Sequence, residues 1–229
     1  GEEVLAPWVA RKTGRPVRWI ATRSEDYIST SHGRDQHGTV RLAADSSGRI
    51  LAVDLDLMMD CGAYFTRVTP IIPPYTGMMM SGVYDIRNVR VQAKGVFTNK
   101  VWNEPYRGAG RPEAMYFLER AVDVLAKELN MDPTELRRRN FIPPEKFPYR
   151  TKTGLTYDSG NYKVALDKVL ELVDYEEVRL EQKRRRSLKE KSMPLLGVGV
   201  TCYVELCGFG PWEHGTVRVR ADGSVRVLS

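Results

Sequence analysis

Cysteine and histidine are scarce in this chain, and their scarcity excludes several kinds of chemistry. The three cysteines, Cys61, Cys202 and Cys207, include no CxxC pair, so neither a disulfide framework nor a cysteine-ligated iron–sulfur centre is indicated, and a reducing compartment, the cytoplasm, is expected. His32, His37 and His214 are too scattered for a helical metal-ligand pattern, and a structural role is expected for each. No apolar run approaches the roughly 18 residues that a membrane-spanning helix needs. The opening Gly1-Glu2-Glu3 is acidic where a secretory leader would be basic. Internal repeats and low-complexity stretches are also missing.

The 229 residues are 42% apolar and 28% charged, an ordinary balance that can bury a core in one or two domains. A formal net charge of +6 invites a nucleic-acid reading. The excess sits, however, at Lys183-Arg184-Arg185-Arg186 and Lys189-Glu190-Lys191, in a helical stretch that also carries Glu176, Glu177 and Glu181. A solvated helix face accounts for it, and no nucleic-acid partner is expected.

A helix is expected over residues 3–13, ended by Gly14 with Arg11 and Lys12 in its last turn. A short strand at 16–20 and a helix start at 23–27 capped by Ser24 follow. Period-two alternation at 39–44 and 50–59 around Asp45-Ser46-Ser47-Gly48 predicts a β-hairpin. Asp54, Asp56 and Asp60 share its outward face, where solvent exposure is a better account than a cation site. Residues 70–82, rich in Pro, Gly and Met, read as an irregular apolar stretch that packs in the core or lines a pocket.

Beyond a strand-like run at 89–101, helices are expected at 115–129, with Phe117, Ala121, Val124, Leu125 and Leu129 on its apolar face, and at 132–139. Asn130 is expected to cap the first of these, and Arg137, Arg138 and Arg139 to anchor the end of the second. Residues 143–160 form a Pro/Gly-rich connection. Helices at 162–173 and 176–191, a strand at 194–207 and a hairpin across Ala221-Asp222-Gly223 complete the pattern. The connection divides the chain into an α+β domain over 1–142 and the start of a second, incomplete α+β domain over 161–229. Both termini interrupt a pattern, which leads us to expect a piece cut from a longer subunit.

Sheet-like sequence turns to helix at Asn103-Glu104-Pro105-Tyr106-Arg107-Gly108-Ala109-Gly110-Arg111-Pro112. Pro112 suits a first helical turn, Glu113 its positive end, and Glu119 the exposed side of the helix. A strand, a turn with two glycines and a helix start gather backbone N–H groups beside Arg107 and Arg111, an arrangement suited to an anionic or oxo-bearing group. The Gly108-x-Gly110 spacing by itself is a weak signal and reads more readily as a purely structural turn.

Residues 105–114, with Leu136-Arg137-Arg138-Arg139-Asn140-Phe141-Ile142, Tyr157-Asp158-Ser159-Gly160, and Gly197-Val198-Gly199 through Tyr203-Val204-Glu205, resemble the molybdenum-cofactor-binding large subunit of the xanthine dehydrogenase, aldehyde oxidase and carbon monoxide dehydrogenase family. The resemblance covers essentially the whole chain. It implies an α+β fold of mixed sheets with flanking helices, truncated at both ends. It also implies a molybdopterin-type molybdenum cofactor approached by Tyr106, Arg107, Gly108 and Ala109, and a substrate pocket that includes Tyr75 and Ala109.

The same resemblance implies partners: the rest of the large subunit, iron–sulfur and FAD domains or subunits, and a small-molecule substrate. The copper-containing carbon monoxide dehydrogenases carry a ligating cysteine where this chain has Gly108, and a copper(I) site there would lack its soft ligand. Purine-oxidising members carry an arginine where Tyr75 stands and a phenylalanine where Ala109 stands. The implied activity is therefore oxidative hydroxylation of an aldehyde or N-heterocycle. The family's catalytic base has no counterpart within these residues, so the stretch alone is expected not to be competent, and Glu205 is expected to be structural or cofactor-proximal. The alternative is a non-catalytic scaffold that keeps the fold without the cofactor.

Overall fold

Alternation along residues 36–62 builds the centre of the fold. In the computed structural model, which describes residues 1–188, 193–206 and 214–228, β1 (Gln36–Ala44) pairs antiparallel with β2 (Ile50–Gly62). A third strand, β3 (Asn88–Phe97), pairs parallel with β2, which is therefore the middle strand. Val53, Leu55, Leu57, Met59 and Cys61 of β2 are buried on one face, as a period of two requires. On the other face Arg41 and Arg90 each bond both Asp54 and Asp56. Asp60 does not join them: its carboxylate accepts from the Gly62 amide and the Thr98 hydroxyl.

Seven α-helices are found among the described residues, α1 (Glu2–Thr13), α2 (Arg23–Ser29), α3 (Ile72–Met78), α4 (Arg111–Glu128), α5 (Pro133–Asn140), α6 (Tyr162–Leu172) and α7 (Tyr175–Ser187). Short pairs β4 (Tyr149–Arg150) with β5 (Thr156–Tyr157), and β6 (Thr216–Val219) with β7 (Val225–Leu228), complete a mixed α+β architecture. No helix among the described residues is long and apolar enough to cross a membrane. Gly14 ends α1 in the left-handed conformation, as its position predicted.

Several expectations shift. The segment 16–20 forms no strand. It finds no partner among the described residues, and Trp19 and Ile20 lie exposed. The cap of α2 is Thr22, two residues earlier than Ser24, because Glu25 returns a bond to the Thr22 amide in a capping box. Residues 70–82 are less irregular than their composition suggests. Pro73, in the first turn of α3, has no N–H to lose there, and the helix buries Ile72 and Thr76.

α4 has the expected period but a rotated face. Ala114, Phe117, Leu118, Val122 and Ala126 are buried while Val124 is exposed. Glu119 is buried as well, against the expectation that it faces solvent, and so is Glu113, which lies in the first turn as expected, because each meets an arginine. The carboxylate of Glu119 accepts from the Tyr84 hydroxyl at 2.5 Å, from Arg137 Nε at 2.9 Å and from the Cys202 amide at 2.8 Å. Burial pushes this carboxyl above its usual range, opposed by the Arg137 charge and the Tyr84 hydroxyl.

Arg137, Arg138 and Arg139 lie in the last turn of α5, as expected, and each also reaches beyond it. Arg137 is fully buried against Glu119 and Asp123, Arg138 reaches Asp167 on α6, and Arg139 bonds Glu135 and the Ser47 carbonyl. Leu166, Leu170 and Tyr175 join the same core as the β2 and α4 residues, so it extends beyond the 143–160 connection. Residues 193–206 keep their alternation, with Val198, Val200, Cys202, Val204 and Leu206 packed on that core, yet pair in no sheet among the described residues. The expected continuations at Lys189-Glu190-Lys191 and Cys207 lie outside the described residues.

Candidate functional site

The glycine-rich turn leading into α4 is held by contacts from three directions. From β2, the Cys61 carbonyl accepts the Asn103 amide at 3.1 Å. From the segment before β1, the His32 carbonyl accepts the Glu104 amide at 2.8 Å. Within the turn, the Ala109 amide donates to the Tyr106 carbonyl at 2.8 Å and the Arg111 amide to the Gly108 carbonyl at 3.1 Å.

Gly108, Ala109 and Gly110 all have positive φ, at 94°, 41° and 93°. Only glycine takes the outer two without strain. A Cβ on Gly110 would lie 2.5 Å from the Ile72 carbonyl oxygen, so the turn sits directly against α3. On Gly108 it would lie 2.6 Å from the Pro112 ring. Both glycines thus serve the tight turn into α4.

The turn presents a specific set of donors. Among the described residues the amides of Arg107, Gly108 and Gly110 have no hydrogen-bond partner, and the Arg107 and Tyr106 side chains are exposed. Successive free N–H groups beside a guanidinium form a cradle for negative charge. This donor set fits an anionic, oxo-bearing group. Tyr75 lies half-buried on α3, the helix that touches Gly110. The structure brings the turn and α3 together at Gly110.

Arg34, which no sequence pattern flags, completes the surroundings together with Asn103 and Arg111. Arg34 donates from Nη2 to the Arg107 carbonyl at 2.7 Å and from Nη1 to Glu113 at 3.2 Å, and its guanidinium lies 5.1 Å from the Tyr106 ring centroid. Asn103 is fully buried and donates to the Arg34 and Asp60 carbonyls. Arg111, at the start of α4, pairs with Glu205 and bonds the Leu206 carbonyl, so Glu205 is engaged in holding the turn's exit. No local pattern singles out Arg34, whose partners lie 73 and 79 residues away in sequence. Among the described residues no group of three or more His, Cys, Asp or Glu could hold a metal ion.

Residues 1–141 match the family described as the molybdopterin cofactor-binding domain. The carbon monoxide dehydrogenase large chain of Hydrogenophaga pseudoflava is 43% identical over 201 residues, which is 86% of this chain and 25% of that protein. The nicotine 6-hydroxylase large subunit of Paenarthrobacter nicotinovorans is 30% identical over 249 residues, covering 100% of this chain and 29% of the relative. The crystal structure of quinoline 2-oxidoreductase from Pseudomonas putida 86 superposes with a TM-score of 0.85 at 32% identity, covering 99% of this chain and 30% of that one. The chain therefore spans between a quarter and a third of the length of these relatives.

Proposed function

Since the chain belongs to the molybdopterin cofactor-binding domain family, we propose that it forms the part of a molybdenum hydroxylase large subunit that faces the cofactor through Tyr106, Arg107, Gly108 and Ala109. The observation that carries this reading is the set of three unpartnered amides beside the exposed Arg107. Fixed N–H donors need no reorganisation to meet an oxo-bearing anion, and this is how a protein contributes most to such chemistry. When bound, the molybdenum cofactor supplies two-electron oxidation of a substrate carbon. The chain's own residues bind and orient: the turn amides and Arg107 hold negative charge, while Ala109 and Tyr75 bound the substrate's space.

The substrate is an aldehyde or N-heterocycle. Gly108 offers no thiolate for copper(I), and the relatives named for nicotine and quinoline support a heterocycle. Glu205 is tied to Arg111, and we assign it no proton-accepting role. Iron–sulfur and flavin groups on other domains or subunits would be the electron acceptors.

A dye-coupled assay on the protein, purified from its host with whatever chains accompany it, tests the substrate class. Dye reduction with quinoline-like heterocycles or aldehydes, and none with carbon monoxide, is expected. Turnover of carbon monoxide alone would refute the assignment.

A further inference from the structure

Arg34 stands in an unusual backbone setting. It and Asp35 are consecutive non-glycine residues with left-handed φ of 70° and 61°, a conformation that costs energy and persists only where the surroundings impose it. Here they do. The Arg34 carbonyl accepts from Asn103 Nδ2 at 3.3 Å, the Asp35 carbonyl accepts the Asp60 amide at 3.1 Å, and Lys100 pairs with the Asp35 carboxylate. The corner is fastened to the end of β2 and to the strand-to-turn segment on either side.

What this strained corner delivers is one guanidinium aimed at three parts of the turn. Nη2 meets the Arg107 carbonyl, Nη1 meets Glu113 in the first turn of α4, and the flat face lies over Tyr106. Gly33 belongs to the same device, since a Cβ there would sit 2.7 Å from the Tyr106 Cβ. A planar fork that is always charged can satisfy two acceptors while stacking on a ring; a lysine ammonium cannot. We infer that Arg34 is a positioning residue that sets the Tyr106–Arg107 conformation, and with it the direction of the free amides. That these amides face a cofactor rests on the function proposed above.

Amide hydrogen exchange on the full chain, with any chains that accompany it, tests this without the cofactor chemistry. The reporters are the Ala109 and Arg111 amides, both bonded within the turn. Arg34→Lys keeps a charge for Glu113 but loses the fork, and exchange at both reporters is expected to rise about tenfold or more, with the Val53 and Leu55 amides of β2 unchanged. Glu113→Gln leaves the carbonyl bond and the stack, and exchange at the reporters is expected to stay within about threefold of the parent. Free guanidinium ion is expected to slow the reporters again in Arg34→Ala.

Reporter exchange at the parent rate in Arg34→Lys, or equal acceleration at Val53 and Leu55, would overturn the inference. Should Arg34→Ala not fold, Arg34→Lys and Glu113→Gln decide the matter alone. Molybdenum content of the parent protein separates the two ideas. A parent without metal whose reporters respond as expected would sink the proposed function and leave the role of Arg34 intact. A metal-containing parent whose Arg34→Lys variant behaves like wild type would do the reverse.

Discussion

Replacing Glu119 by leucine removes the centre of the buried polar cluster that joins α4, α5 and the segment around Cys202. In the native chain its two oxygens accept from Tyr84, Arg137 and the Cys202 amide. Without them Arg137, which is 0% exposed, keeps among the described residues only the partly exposed Asp123 as a charged partner, and the Tyr84 hydroxyl and Cys202 amide lose their acceptor. Breaking one side of a buried ion pair costs about 3–5 kcal/mol, because the other charge stays buried. For a chain of this size that lowers Tm by about 6–20 °C.

Circular dichroism through thermal and urea unfolding reads the loss directly. The double variant Glu119→Leu with Arg137→Met removes both charges and is expected to recover most of it, since an apolar pair of similar volume is often close to neutral. A Tm drop below about 3 °C in the single variant, corresponding to no more than about 1 kcal/mol, would refute the reasoning. So would a double variant no more stable than Glu119→Leu.

Gly110→Ala is expected to cost about 2–4 kcal/mol. Its φ of 93° is strained for alanine and its Cβ would meet the Ile72 carbonyl, so wild-type stability in urea unfolding would show that the turn yields. Asp132 caps α5 and also engages Tyr175 and Arg179. Burial raises its pKa, but bonds from the Thr134 hydroxyl and amide and from Tyr175 outweigh that and leave it below the ordinary 3.8. A depressed folded pKa gives stability that is present above the unfolded value and lost as pH falls through the folded one. Asp132→Asn is therefore expected to be less stable than the parent at pH 7, with the gap closing below about pH 4. A gap that stays constant down to pH 2 would contradict that assignment.

Much of the architecture was legible in the sequence because it rests on local rules. The β1–β2 hairpin follows from alternation around Asp45-Ser46-Ser47-Gly48, and the α1 terminus from Gly14. α5 begins after Asp132 with a proline at its first position, as written. What the sequence could not reveal are contacts between distant residues. The buried face of α4 is turned from the apolar stripe because it takes in Glu119, whose burial Arg137 and Tyr84 make tolerable.

The same limit applies to the candidate site. The turn at 106–110 is visible from its glycines and from the proline that follows, but Arg34 is not, because its partners belong to a different part of the chain. The left-handed backbone that presents it falls on arginine, which carries no such signal, and on aspartate, which carries only a weak one. Alternation likewise predicted a strand at 194–207, and the residues alternate in burial over 193–206 without entering a sheet.

The central claim, that the turn at Tyr106–Gly110 faces a molybdenum cofactor, is tested most directly by molybdenum and pterin content. Elemental analysis and fluorescence of the oxidised pterin would be measured on this chain purified from its own host, together with the chains that co-purify. Molybdenum and pterin are expected in equal amounts, close to one of each per chain. A well-folded preparation with partner chains present but neither metal nor pterin would contradict it.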